Sequence, residues 1–568
     1  MTIESDARQT QFKPLGVPAP RGRSAFDWIA VLAIAIACIC ALPGIAVIAA
    51  ALSSSLDTLR HLADTVLWRY TRTTLILVAA TGAGTILIGV TAAWLVVMTE
   101  FPGRRALEVA LVIPFAFPAY VLAYAYTDIL DHPGIVQSTL RNVMGWGPRD
   151  YWFPEIRSLG GAAAMLTLVL YPYVYLIARA VFMTQSSVPF FAARALGHSP
   201  LRAFLGVSLP MARPAIAAGV LLVAMETIAD FGAVAHFGVQ TFATGIYTSW
   251  FAMADRAAAA QLSLGLLAFA LMLAMLERVS RSRARFFAGQ RSQPMPRLGL
   301  RGARGWAATS FCAVPVIFGV VLPVIALAAM AVDSQQDILS ARYLRFVQNT
   351  LTLAFVASAV TVGAAIVLGT YQRLRPGRVS GASLYVARLG YAVPGGVIAV
   401  GLLVPLAGFD NALDAWMRES FGVSTGLLLT GSIAALVAAY MIRFLAAAIG
   451  GYESGAAGIS PSIDSAARVL GANAWGMVRR VHVPILSPSL WTAALIVFVD
   501  VTKELPATLI MRPFNFDTLA VQAHRLAADE RLNGAAVPSL VIAAVGLVPV
   551  ILLCRRMARG SGFGGARS

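Results

Sequence analysis

Twelve stretches of 18 to 27 residues, at 27–51, 73–99, 106–126, 160–183, 214–235, 259–276, 309–332, 350–371, 384–406, 426–449, 489–511 and 536–557, are almost continuously apolar. Most charged residues lie in the short segments between them. A helix needs about 20 apolar residues to cross a hydrocarbon layer about 30 Å thick, so the pattern predicts twelve transmembrane helices. Polar residues before 27 and the length of the first run argue against a cleaved signal peptide.

Composition agrees with the pattern. Of 568 residues 58% are hydrophobic and 12% charged, with a mean hydropathy of +0.74. Soluble domains carry about 25% charged residues, so a water-facing globule is excluded. The net charge of +17 does not point to nucleic acid, because the basic residues cluster in short loops. Arg8, Lys13, Arg21 and Arg23 precede the first run; Arg278, Arg281, Arg283, Arg285, Arg291, Arg297, Arg301 and Arg304 join the sixth to the seventh; Arg555, Arg556 and Arg559 end the chain. The positive-inside rule places these segments, and both termini, in the cytoplasm, and turns 128–157 and 410–419 outward. Lys13 and Lys503, the only lysines, lie in no phosphate-binding loop, so ATP chemistry is expected on another chain. Cys38, Cys40, Cys312 and Cys554 lie in or beside apolar runs without metal-type spacing. No cofactor is expected, no metal ligands are assigned, and His61, His132, His198, His236, His482 and His524 are read as scattered structural or loop residues.

The chain repeats itself. Ala192–Gly197 (AARALG) returns as Ala466–Gly471 (AARVLG), and the offset of 274 also pairs Pro210 with Pro484, Glu226 with Asp500, Asp230 with Glu504 and Thr244 with Thr518. Each copy holds six spans, an even number, so both enter the membrane in the same sense. The expected organisation is a tail 1–26, a first repeat 27–277, a basic linker 278–308, a second repeat 309–557 and a tail 558–568. Pro118 and Pro394 correspond at an offset of 276 and predict bends in the third and ninth spans.

Ala192, Ala193, Gly197, Leu209 and Pro210, and again Ala466, Ala467, Gly471 and Pro484, resemble the E-A-A-x3-G-x9-I-x-L-P loop of bacterial ABC importer permeases. The leading glutamate is replaced by Phe191 and Ser465. From the residues themselves, small alanines permit close helix contact, glycine ends a short helix and proline starts the next element. The segments 226–232 and 503–509, with the phenylalanine-containing turns after them, resemble the fused permeases of ferric-iron ABC importers, an architecture that thiamine permeases share. The resemblance implies an all-α polytopic membrane protein of the type I importer permease fold, built as two parallel six-helix repeats. It also implies a bacterial inner-membrane location, a cytoplasmic ATPase dimer docked on the two loops, a periplasmic iron-binding protein, and no enzymatic activity in this chain. A cation-coupled secondary transporter is the competing class.

Glu226 with Asp230 and Asp500 with Glu504 are spaced i, i+4, which predicts one helix face in each repeat at middle depth. Lys503 can neutralise one neighbour. Two readings stay open: the acids pair with arginines or helix ends of adjacent spans and fix the repeats together, or they converge into an electronegative path for a cation. Tyr120 with Tyr124 and Tyr171 with Tyr175 could offer oxygen to a hard cation, but packing is the better reading.

Overall fold

The computed structural model describes residues 28–186, 188–284, 297–334 and 336–561. The N-terminal tail with its four basic residues, the linker positions Arg285 and Arg291, and the last residues of the C-terminal tail lie outside these.

Among the described residues eleven helices are long and apolar enough to span a membrane: Trp28–Ser53, Leu56–Met98, Leu159–Thr184, Pro200–Ala229, Arg256–Ser280, Ala303–Val332, Ala341–Leu374, Gly395–Phe421, Ile433–Ala456, Trp475–Thr502 and Leu532–Leu552. The third span is a pair, Arg104–Ala116 and Ala119–Met144, bent by 94°. Together they make the all-α, twelve-span fold that the apolar runs predict.

The bend lies at Pro118, whose ψ of 143° is extended. Pro394 does the same in the second repeat, with ψ 146°, separating Arg378–Leu389 from Gly395–Phe421. A proline lacks the N–H that would continue the helix before it and suits the start of the helix after it. Two ranges need correction. The stretch 410–419, expected as an outward loop, forms the last turns of the ninth span, where Asp414 and Arg418 pair at i, i+4 and Gly422 at φ +67° ends the helix. Pro210 and Pro484 do not start helices: each lies inside a long one that begins near Pro200 or Trp475.

A regular rule accounts for those internal prolines. Five-residue π turns at Phe204–Ser208, Ile317–Val321 and Val478–His482 each precede a proline, Pro210, Pro323 and Pro484, by the same spacing. Widening the turn to i→i+5 bonds absorbs the missing donor while the helix runs on.

Spans two, four and five form the centre of the first repeat, and spans eight, ten and eleven that of the second. The outer spans cross over. Span one packs on spans eight and nine of the other repeat, as well as on span six, and span seven packs on the bent third span and on span twelve. Within the linker, Leu298–Gly299 pairs in parallel with Thr99–Glu100 at the end of span two. That pairing and the hydrogen bond from Thr309 to the Pro102 carbonyl (2.7 Å) hold the end of the linker against the first repeat.

Candidate functional site

The two repeated loops fold alike. In each, a short helix, Val188–Ala195 or Pro461–Val469, stops at a left-handed glycine, Gly197 at φ +88° or Gly471 at φ +80°. The His198 N–H donates to the Ala193 carbonyl and the Ala472 N–H to the Ala467 carbonyl (3.2 and 3.0 Å), a Schellman closure that only glycine enters without strain. Ala193 and Ala467 are buried while Ala192 and Ala466 face out. Leu196 and Leu470, equivalent by the repeat offset, are both more than 80% exposed. Exposed apolar side chains at matched places are what a docking surface requires.

Their attachments differ. In the second loop the buried Asp464 accepts from Arg373 (2.6 Å) and pairs with His482 (2.9 Å), while the same guanidinium donates to the carbonyls of Ala456 and Ile459. Although burial pulls the Asp464 carboxyl upward, bonds to His482 and Arg373 hold it below the ordinary aspartate value. In the first loop the equivalent position is Phe190, packed with Ala193, Ala203, Val207 and Leu298. One loop is held by charge and the other by apolar contact. A lone aspartate beside the motif gives no signal of this, because its partners come from distant spans.

The intramembrane acids do come together. Glu226, Asp230, Asp500 and Glu504 line one cavity of about 110 Å³ with Arg443 and Lys503, at the contact between the two repeats. The single-face reading of the i, i+4 pairs is corrected, however. Span five ends at Ala229 and span eleven at Thr502, so Asp230 and Glu504 stand beyond the helices. Each carboxylate accepts from the first free N–H groups of the next short helix: Asp230 from Ala233 and Val234 (both 3.1 Å), Glu504 from Ala507 and Thr508 (both 3.2 Å). Helix starts leave such donors unsatisfied, and an acid at middle depth gains partners by stopping the helix. Glu504-Leu505-Pro506 carries that signal in the sequence.

Glu226 and Asp500 face the cavity otherwise. The Tyr391 hydroxyl donates to Glu226 (2.8 Å) from the opposite repeat, and Arg443 of span ten lies 3.9 Å away. Lys503 pairs with Asp500 at 3.0 Å and rests 4.4 Å above the Phe115 ring of the first repeat. Since an acid at a helix centre costs about 2.5–3.5 kcal/mol on insertion scales, these partners explain how four are retained. Sequence reasoning misses Arg443 because nothing in a hydropathy pattern says which span faces which.

Tyr124, Tyr171 and Tyr175 are fully buried, and Tyr175 donates to the Glu108 carbonyl (3.0 Å). His236 and His524, scattered in sequence, meet at Tyr124. His236 is edge-on at a ring distance of 4.8 Å, and His524 Nδ1 is 3.5 Å from the hydroxyl.

Residues 85–285 match the family model of the binding-protein-dependent transport system inner membrane component. The matched residues lie in the first repeat and resemble a permease component of binding-protein-dependent transport, a class in which the permease works with a substrate-binding protein and an ATPase and is not itself an enzyme. It is 25% identical over 491 residues to the Fe(3+)-transport system permease protein FbpB 2 of Haemophilus influenzae, covering 84% of this chain and 88% of that one. A probable ABC transporter permease, y4fN, of Sinorhizobium fredii is 25% identical over 84% of this chain and 86% of its own. The molybdenum permease ModB of Escherichia coli is 27% identical over 34% of this chain and 87% of its own.

Proposed function

We propose that this chain is the permease of a ferric-iron importer, a fused pair of repeats that moves a cationic cargo by alternating access. The convergence of four acids from both repeats on one cavity carries the reading, since the formal charge of the lining, with Arg443 and Lys503 counted, is minus two. Length-spanning similarity to a ferric-iron permease supports the same cargo. The loops bearing Ala192, Ala193, Gly197, Leu209 and Pro210, and Ala466, Ala467, Gly471 and Pro484, dock the ATPase dimer on the cytoplasmic side. Closure of that dimer moves the long helices behind them and switches the cavity from one face to the other. Both termini are cytoplasmic, the membrane is the bacterial inner membrane, and an iron-loaded binding protein delivers cargo outside.

The test is uptake of radiolabelled ferric iron in cells carrying the whole system. Glu226→Gln with Glu504→Gln removes both charges while keeping the shape and one accepting oxygen in each side chain, and should abolish uptake while assembly and cargo-free ATPase activity stay near normal. Unchanged uptake would defeat the cation path, and loss of assembly would leave the acids as struts between the repeats. A second reading, a permease for thiamine or another small solute, rests on the fused architecture that such permeases share and predicts competition by that solute. Transport by the chain alone under an ion gradient would instead show a secondary transporter.

A further inference from the structure

Arg443 occupies a position that its contacts do not explain. Its side chain is 13% exposed at the centre of the molecule, between Glu226 of the first repeat and Glu504 of the second, with nitrogen-to-oxygen distances of 3.9 and 3.8 Å. Both are too long for hydrogen bonds, and Nη1 is buried without an acceptor. A guanidinium normally satisfies its fork of donors on carboxylates, often in pairs. Here the two acids are oriented by other groups: Glu226 by the Tyr391 hydroxyl, Glu504 by the Ala507 and Thr508 N–H groups. They would hold their places if the arginine left.

The backbone makes room for this arrangement. A Cβ on Gly395, the first residue of span nine, would lie 2.5 Å from Glu504 Oε1 and 2.6 Å from Arg443 Nη1. The repeat offset places Val169 opposite Arg443, and it lines the same cavity. One arginine therefore serves both halves of an otherwise paired site.

We propose that Arg443 is a resident counter-cation that fills the crossing point between Glu226 and Glu504, and that a cargo cation passes by displacing it. The inference rests on the cation-path reading. In the closed arrangement the guanidinium neutralises acids that would otherwise face each other across the repeats, and it denies the site to ambient cations. Loose contacts suit a group that must leave.

The full chain purified in detergent can be titrated with terbium(III), a hard trivalent probe whose luminescence is sensitised by nearby tyrosines; Tyr120 and Tyr173 line the cavity. Arg443→Gln should bind terbium at least tenfold more tightly than the unmodified chain. Arg443→Lys, which keeps a tethered charge, should stay near the unmodified affinity. Arg443→Met should also tighten binding, because it removes the charge while keeping an unbranched side chain, and it carries the comparison if Arg443→Gln does not fold. Adding Glu226→Gln and Glu504→Gln should erase the gain. The proposal is overturned if neither Arg443→Gln nor Arg443→Met tightens binding, if Arg443→Lys gains as much as Arg443→Gln, or if the gain survives removal of both acids. Unchanged iron uptake in the Glu226→Gln, Glu504→Gln permease would instead overturn the path itself, whereas lost uptake with no terbium gain would remove only the role of Arg443.

Discussion

Arg157 and Glu530, 373 positions apart, meet in two parallel hydrogen bonds of 2.7 and 2.8 Å. The same guanidinium donates through Nε to Asp131 at 3.0 Å. The bond ties the 145–158 segment of the first repeat to the turn before span twelve of the second. It is the counterpart, away from the centre, of the Glu226–Tyr391 contact. Hydrogen bonds from Arg157 hold the Glu530 carboxyl below the ordinary glutamate value, against a smaller upward pull from burial.

A lowered carboxylate stabilises the folded form above the unfolded value of about 4.3 and loses that contribution as pH falls through the folded value. Glu530→Gln should therefore lower the thermal midpoint at pH 7 by no more than about 2 °C, since the pair is largely exposed. The gap should narrow as pH falls through the lowered value of Glu530, where its carboxyl becomes neutral like the amide. A thermal shift series from pH 7 down to the lowest pH at which the chain stays folded measures it, and a gap that does not narrow would assign the effect to packing.

A Cβ on Gly197 or Gly471 would point into open space, so substitution meets no neighbour within the chain. Gly197→Glu or Gly471→Glu should cost about 1–2 kcal/mol locally for the left-handed backbone and leave the membrane fold intact. Iron uptake should drop at least tenfold, together with co-purification of the ATPase. Normal values for both variants would remove the docking role of these loops.

The unlike attachments of the two loops should respond to different changes. Asp464→Asn leaves Arg373 and His482 without their carboxylate, and breaking a buried pair costs about 3–5 kcal/mol. Hydrogen exchange should quicken in Pro461–Val469 and stay unchanged in Val188–Ala195. Phe190→Ala should do the reverse. Equal responses in both loops would mean that they are held as one unit.

The expected orientation is testable by labelling. Cysteine at Ser199 or Asn473, which cap matching helix starts beside the two loops, should be silent to an impermeant thiol reagent added outside. Cysteine at Trp152, on the opposite segment and 85% exposed, should react. The reverse pattern would invert the topology.

Much of this architecture is legible in short stretches of the chain. Pro118 and Pro394 break their spans because proline acts locally, and Gly197 and Gly471 end helices for the same reason. The capping of short helices by Asp230 and Glu504 is also written locally, in an acid placed before a helix start, but the regular i, i+4 spacing suggests a continuous helix instead. Arg443 between two repeats, Arg157 on Glu530 and the meeting of His236 with His524 depend on which spans are neighbours. Apolar periodicity cannot specify that, because lipid and protein are equally apolar surroundings for a leucine.

Span one, Trp28–Ser53, rests on the ninth span, Gly395–Phe421, so its neighbour is made long after it. At a synthesis rate of about 5–20 residues per second, the interval between the two is on the order of tens of seconds. During that time the first helix has only lipid against the flank that will later meet Gly401, where the Pro43 backbone would come within 2.4 Å of a Cβ. A nascent chain halted after the sixth helix would thus be inserted but unclosed. It would be a natural substrate for membrane quality control.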